Sequence, residues 1–435
     1  MLDIKFIRDH VGELKEAVKN KGINLDLDAL LEIDKERVSL LREAELFNKA
    51  KNELNNEINQ ATSEAERKSL IERGRDLKEP DPKRIEAVKD EFDELMAKVP
   101  TIPSPDTPIG QGEAQNKEIF RWGEPRKFEF EPKDHIALGK ALDILDFERG
   151  AKTGGFRGYY VKNDGVLLVM GIMMYALRKM IERGFKPMIP PTLVKEFALF
   201  GSGYFSGLKY NPEIDEIYQI ATSDKEATGA VSREKKLLVG TSEPSILAYY
   251  ADETLNLTDL PIKVCGLSQC YRSEIGSYGK ETKGLYRVHE FMKVEQVVIA
   301  EADTEKANEF QDEMTSISGE MHEELGLPYR RLQICTGDMS AGKYRAFDLE
   351  AWLPGMNRWA ETGSASNFLD WQARRLNMRY LDGNGEKKYA YTLNNTALPS
   401  PRILIAILEN YQTADGRVII PEVLRPYVGK EEIGI

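Results

Sequence analysis

Apolar positions recur along this chain in two rhythms. From Asp34 to Lys98 charge is dense and Gly74 is the single glycine, while Ile33, Leu40, Phe47 and Leu54 stand seven apart. A seven-residue repeat with charged flanks predicts a coiled-coil helix. A second helical stretch carries Ile85, Val88, Phe92, Leu95 and Val99 at spacings of three and four. Between the two, the polar, cap-rich run from Asn59 to Glu64 predicts the tip of a long antiparallel helical hairpin. Pro80 and Pro82 interrupt the second arm. Leu70 and Leu77 are seven apart, but the next step lands on Arg84 rather than Ile85. The spacing therefore predicts a bend, either as a kinked helix or as a fresh helix that begins at Pro82 under an Asp81 cap.

The rhythm changes after Val99. Pro100, Pro103, Pro105 and Pro108 stiffen a non-helical linker, which divides the chain into expected domains 1–105 and 106–435. Beyond it, Val294–Ala300 and Tyr344–Leu353 read as buried strands. Glu305–Glu324 and Pro401–Tyr411 read as helices. Strand and helix do not alternate regularly, and no GxGxxG or GxxxxGK[ST] run occurs. The expected fold class is α+β, with a mainly antiparallel sheet.

Composition narrows the class. With 435 residues, 41% apolar and 30% charged, the chain reads as a soluble globular protein of roughly two or three domains. Its longest apolar run, Gly165–Leu177, is short of the ~18 residues a membrane span needs. Met1–Lys5 lacks an apolar signal core. Three scattered cysteines, 265, 270 and 335, read as reduced thiols, so the expected location is the cytoplasm. Four histidines without ligand spacing argue against a structural zinc site, and the lack of GxSxG argues against a serine hydrolase. A net charge of −12 disfavours nonspecific polyanion binding, yet a local basic stripe can still hold phosphates.

Three segments carry candidate chemistry. Cys270–Glu295 reads as strand, glycine-bearing loop, strand. Arg272 and Glu274, two apart on a strand, share a face; the arginine fork suits a phosphate or carboxylate and the acid suits an amine. The plain alternative is a surface hairpin with an ion pair. Arg358–Phe368 joins Glu361 to small hydroxyl and glycine residues, which suits a divalent cation, or else a capped helix start. Thr392–Arg402 sets an arginine just inside a helix opening at a proline, an anion site or a structural turn. Thr241-Ser242-Glu243 alone reads as an N-cap.

Together these segments resemble the class II aminoacyl-tRNA synthetases, and among them the bacterial seryl-tRNA synthetase family. The resemblance covers nearly the whole chain: the helical hairpin, the Pro-rich linker, motif 1 around Phe185–Val194 with Pro190, motif 2 from Cys270 to Glu295, and motif 3 from Asn394 to Glu409. Glu409–Gln412, Asp415–Arg417 and Pro421–Tyr427 look like that family's C-terminus. No HIGH-like or KMSKS-like segment of class I is present. The resemblance implies a six- to seven-stranded antiparallel sheet flanked by helices, and a homodimer.

It also implies roles. Thr241, Ser242 and Glu243 match the family's serine-binding TxE segment, with Glu295 and Thr396 as further serine ligands. Arg272 matches the arginine bridging the substrate carboxylate and the α-phosphate. Glu274 matches the acid facing the adenine amine, with Ser273 beside it, and Val288 and Phe291 match the adenine-stacking strand. Glu361, Thr362, Gly363 and Ser364 match the segment that binds ATP, Glu361 and Ser364 holding its Mg2+. Arg402 matches the motif 3 arginine on the γ-phosphate. This chain has Thr396 where the family often has Ser, and Pro399 and Pro401 where it has small residues.

The implied reaction is ATP-dependent ligation of L-serine to tRNA(Ser) through seryl-adenylate, with Arg272, Glu361 and Arg402 catalytic. The resemblance also allows a selenocysteine-specific tRNA as acceptor. Lys49, Lys51, Arg67, Lys68, Arg73, Arg75 and Lys78 toward the arm's outer half are the expected tRNA contacts, against the plain reading of a solvated helix face. Two other readings stand beside this one. The first is an amino acid ligase charging a carrier protein, whose relatives lack the arm. The second is a coiled-coil interaction protein with a dead synthetase domain.

Overall fold

A computed structural model describes residues 2–205, 207–221, 225, 228–229, 234–275 and 284–434. The middle of the motif 2 loop, residues 276–283, lies outside them.

The predicted hairpin forms. Asp26 caps a helix over Leu27–Gln60, accepting from the amides of Asp28 and Ala29 at 2.9 and 3.1 Å. The chain turns at Ala61–Ser63, inside the predicted tip. It returns as Glu64–Arg75, where the Ser63 hydroxyl accepts from the Glu66 amide. Leu54 is buried against Gly74, where an added Cβ would meet Leu54 Cδ2 at 3.0 Å. The arm's one glycine therefore stands where Leu54 of the facing helix leaves little room for a larger side chain. The proline pair ends one helix and starts another. Pro82–Lys98 begins with Pro82 in the first turn and Asp81 as cap, accepting from the Lys83 amide at 3.0 Å. The fresh-helix alternative is the one the chain adopts, because a first-turn proline forfeits no helical hydrogen bond. At the arm's base Ile7, Leu14, Leu30, Met96 and Val99 close a small apolar core.

Beyond the linker the largest of the sheets among the described residues has eight strands. Its strands are β1 (Lys117–Trp122), β2 (Lys186–Met188), β3 (Ile262–Tyr271), β4 (Glu290–Ala300), β5 (Tyr329–Gln333), β6 (Arg345–Leu353), β7 (Arg358–Asn367) and β8 (Tyr391–Pro399). They lie in the order β1-β5-β6-β7-β8-β4-β3-β2. Every pairing is antiparallel except β2 with β3. Eight strands exceed the six or seven implied by resemblance. Arg358–Asn367 is a strand and not a helix start. Among the described residues no helix is long and apolar enough to cross a membrane.

Strand β4 shows how the sheet separates core from site. Side chains alternate along a strand. Val294, Val298 and Ala300 join the main core with residues of the helices Asp164–Glu182, Thr304–Glu324 and Ser400–Asn410. On that same face Gln296 donates to Ser318 Oγ at 2.9 Å. On the opposite face Val297 and Ile299 enter a second core, but Phe291, Lys293 and Glu295 face a cavity.

Candidate active site

Two adjoining hollows occupy that polar face. The larger, about 690 Å³, is lined by Glu243, Arg272, Lys293, Glu295, Lys343, Glu361, Ser364, Asn394 and Thr396 among others. The smaller is lined by Arg272, Glu274, Tyr286, Val288, Phe291, Glu361, Thr362, Gly363 and Arg402. Arg272, Lys293, Glu361 and Thr396 belong to both, so the hollows form one cleft.

Motif 2 is positioned differently from the sequence expectation. Strand β3 ends at Tyr271, so Arg272 and Glu274 are not partners on one strand face. Glu274 lies at φ +52°, the left-handed region, where the chain turns away from the sheet into its loop. Arg272 is tied to the returning strand through its backbone: its amide donates to His289 O, and its carbonyl contacts His289 Nδ1, both at 2.9 Å. Its guanidinium sits 5.4 Å from the centre of the Phe291 ring. The Glu274 carboxylate is buried and accepts from Arg287 at 3.1 Å, with Arg157 at 3.7 Å.

At the small hollow's other wall, Arg402 meets Glu361. Its Nη1 donates to the Glu361 carbonyl at 3.0 Å and lies 3.1 Å from the carboxylate. Burial alone pushes the Glu361 carboxyl up, but Arg402 and Arg272 outweigh burial and hold it below the ordinary carboxylate range. Asp348 moves the other way, pushed up by burial and by the charge of Glu361. Tyr286 lies flat beneath two guanidinium groups, Arg402 at 4.7 Å and Arg358 at 4.8 Å. The prolines of motif 3 fit: Pro401 occupies the first turn of Ser400–Asn410, and the Ser400 hydroxyl accepts from the Met292 amide at 3.1 Å.

The large hollow holds the acids. Glu295 and Thr396 are direct partners across β4 and β8. Lys293, two residues before Glu295 on the same face, lies 2.5 Å from its carboxylate, and the Thr396 hydroxyl stands 3.4 Å from both. Glu243 accepts from Gln372 Nε2 at 2.6 Å. Burial lifts its carboxyl to about 7, with the charge of Glu295 adding to the rise and the Gln372 bond opposing it.

Several expected residues face elsewhere. The Ser242 hydroxyl points to Gly266 O at 3.3 Å, a contact with the sheet. Thr241 and Ser273 have buried hydroxyls, and neither lines the cleft. The Thr362 hydroxyl turns into the core, 2.8 Å from His322 Nε2. Burial holds the His322 pKa down to about 4, so the ring is neutral. Its Nδ1 donates to Ser318 O, and Nε2 accepts from Thr362. Sequence reasoning missed Lys293, Asn394, Gln372, Tyr286 and Lys343. Only Lys293 had a sequence signal, a cation in an apolar strand two residues from Glu295. The basic residues of the arm, Lys49, Lys51, Arg67, Lys68, Arg73, Arg75 and Lys78, are all exposed. Arg73 also pairs across the arm with Glu57 at 3.3 Å.

Comparison with known proteins adds to this geometry. Residues 1–103 match the seryl-tRNA synthetase N-terminal domain, and residues 228–411 match the class II tRNA synthetase core domain shared by the G, H, P, S and T enzymes. The serine–tRNA ligase of Treponema denticola is 40% identical over 442 residues, spanning 100% of both chains. The structure is similar to seryl-tRNA synthetase from Pyrococcus horikoshii complexed with ATP (TM-score 0.85, 34% identity, covering 100% of this chain and 99% of that one). It is also similar to the cytoplasmic serine–tRNA ligase of Naegleria fowleri in complex with AMP (TM-score 0.83, 28% identity, 100% and 99% covered).

Proposed function

The chain belongs to the seryl-tRNA synthetase family of class II enzymes, and on that premise we propose that it activates L-serine with ATP and transfers the serine to the 3′ end of tRNA(Ser). One observation carries the reading. Arg272 stands where an arginine- and aromatic-lined hollow, suited to a nucleotide, opens into an acid-lined hollow suited to an aminated, hydroxylated substrate.

In this reading the adenine ring lies against Phe291 and Val288, its amine toward Glu274. The serine carboxylate attacks the α-phosphate, giving seryl-adenylate and pyrophosphate. Arg272 holds both reacting groups, so its contribution is orientation and charge stabilisation. Arg402 takes the departing phosphates. Glu243, Glu295 and Thr396 receive the serine ammonium and hydroxyl. A site built to bond a hydroxyl rejects an analogue lacking one by ~10⁴ or more, which excludes alanine. Ser242 and Thr362 act through backbone and support, since their hydroxyls bond the sheet and His322, and the buried Thr241 and Ser273, which do not line the cleft, do the same.

Glu361 and Ser364 both line the large hollow, and they fit a magnesium ion that arrives with ATP. Among the described residues no three His, Cys, Asp or Glu cluster as a metal cage. One carboxylate and one hydroxyl suit a cation whose other ligands are phosphates and water. When bound, that ion neutralises phosphate charge.

Residues 1–105 form the tRNA-binding unit and 106–435 the catalytic unit. The exposed cations of the arm meet the tRNA backbone by shape and charge. Val166, Leu167, Met170, Met174 and Ile181 expose an apolar stripe on the helix Asp164–Glu182. That stripe supports a homodimer. The cysteines are free and buried, in keeping with the cytoplasm. A ligase for a carrier protein has no use for the 34-residue arm helix.

The test is direct. The purified protein should catalyse serine-dependent ATP–pyrophosphate exchange and charge purified tRNA(Ser) with labelled serine. Exchange without charging would favour the carrier-protein ligase, and neither activity would leave a dead synthetase domain.

A further inference from the structure

One wall of the large hollow is the turn Ser340–Lys343, which joins β5 to β6 and belongs to none of the three motifs. The N-terminal domain shapes this turn. Lys21, only 5% exposed, reaches across the domain boundary, and its ammonium donates to the carbonyls of Ser340, Ala341 and Lys343 at 3.4, 3.0 and 2.6 Å. An ammonium has three donors, and here each one finds a carbonyl of the same turn. The linker adds two backbone bonds, from the Thr101 amide to Ala341 O at 2.9 Å and from the Ser104 amide to Tyr344 O at 2.8 Å. Gly342 packs on Trp371 so closely that an added Cβ would stand 2.6 Å from the ring. The turn is therefore clamped on both sides, and Ile23 of the N-terminal domain lines the same hollow.

The clamp fixes the start of the Lys343 side chain. Lys343 lines the large hollow but not the small one. Its charge acts on Glu361 and Asp348 from beyond ion-pair distance, and on Lys21, whose pKa burial and then this like charge lower to about 7. A cation that faces a cavity and forms no close ion pair with the carboxylates it senses has its donors open to an anion that arrives from outside. The cavity of about 690 Å³ is far larger than a serine molecule needs. Arg402, the cation assigned to the departing phosphates, lines only the small hollow.

We propose that Lys343 binds a substrate phosphate in the large hollow, and that Lys21 of the N-terminal domain is the positioning residue that holds it there. The phosphate is a backbone phosphate of the tRNA 3′ end, entering on the side away from the nucleotide hollow. This inference rests on the ligase reading. Absence of both activities in the unaltered full-length enzyme would defeat that reading first, before any variant is compared.

The test is a double-mutant cycle in the full-length enzyme with Lys343→Met, Lys21→Met and both together. Pyrophosphate exchange gives KM for ATP and serine, and serylation gives kcat/KM for tRNA. Lys343→Met should lower kcat/KM for tRNA about tenfold, the usual weight of one charged hydrogen bond. Its KM for ATP in exchange should stay within twofold. Lys21→Met should reproduce the loss, Lys21→Arg should recover most of it, and the double variant should lose no more than Lys343→Met alone. A rise confined to KM for ATP would keep the phosphate role but overturn the tRNA as its source. Unchanged kinetics in Lys343→Met would overturn the proposal outright, whether or not the Lys21 variants fold. A Lys21→Met variant that loses thermal stability but keeps wild-type kinetics would reduce Lys21 to a structural residue.

Discussion

The arm and the catalytic sheet solve opposite problems. The arm is almost all surface. Apart from Asp34, buried at its base between Arg8 and Arg37, most of its charged residues face water, and its cross-arm ion pairs, Arg84 with Glu36 and Arg73 with Glu57, lie in the open. Such pairs contribute little stability, and salt screens them. The sheet buries its charges instead. Lys293 with Glu295 and Glu243 with Gln372 sit buried in the cleft, where a missing partner is costly, and Arg402 with the half-exposed Glu361 lies at its wall. The difference shows what each part tolerates. The arm accepts surface changes so long as its seam and caps persist. The sheet depends on the identity of single polar atoms.

The sharpest way to break this contrast is at its most demanding point. Arg272→Ala should cut serine-dependent pyrophosphate exchange by ~10²–10³ or more, with the far-UV spectrum and thermal midpoint preserved. Near-wild-type exchange would remove Arg272 from the centre of the site.

The complementary change removes the outer arm. Phe92, Leu95 and Met96 pack into the small core at the arm's base, so a cut reaching Lys98 would open that core. Deleting residues 43–79 and joining the ends with a short flexible linker leaves it intact. Charging of tRNA should fall by roughly 10² or more as shape and phosphate contacts vanish together. Exchange should stay within a few-fold of wild type. Equal loss of both activities would show that the outer arm belongs to the catalytic unit.

Glu243 tests the cost of burial. Its carboxyl stands at about 7 in the fold, against an ordinary value of 4.5. Between those values the folded state holds more protons than the unfolded one, so stability falls as pH rises through that window. Glu243→Gln removes this dependence. The variant's stability relative to wild type should improve by on the order of 3 kcal/mol from about pH 4.5 to about pH 8, measured by urea unfolding. Its serine activation should fall at the same time. A stability difference that does not change with pH would mean that Glu243 is not held in its neutral form.

The smallest expected effect lies back in the arm. Asp81→Ala removes the cap of Pro82–Lys98 and should cost about 1 kcal/mol. Hydrogen exchange of the amides at 83–86 should accelerate while pyrophosphate exchange stays unchanged. A drop in exchange activity would couple the bend to the active site.

Legibility in the sequence followed the same divide. The arm's seam, its tip and its break at the proline pair were readable because helix periodicity, caps and prolines act within a turn or a heptad, even though the two arms then pack on each other through Leu54 and Gly74. The strands β4 and β6 and the helices Thr304–Glu324 and Ser400–Asn410 were readable from apolar runs. Arg272 and Glu274 were singled out and do line the cleft, but their geometry was not foreseen. A two-residue spacing implies a shared face only while the strand continues, and β3 stops at Tyr271. Thr362 was read as a ligand, yet its hydroxyl bonds a histidine 40 residues away. No local pattern encodes that choice.

Sequence alone, then, determined the elements, the division into arm and sheet, and the residue types the chemistry requires. These follow from periodicity, from caps and prolines, and from segments whose order resembles a known family. The tertiary structure decided which of those residues share a cleft. The alternation of β4 sends Lys293 and Glu295 to one face and Gln296 to the other, and the β4–β8 register sets Thr396 opposite Glu295. A lysine at position 21 meets three carbonyls at 340–343 only once two domains have packed. The last two sets of contacts join positions about 100 to more than 300 residues apart, and their energy depends on burial, which exists only in the folded chain.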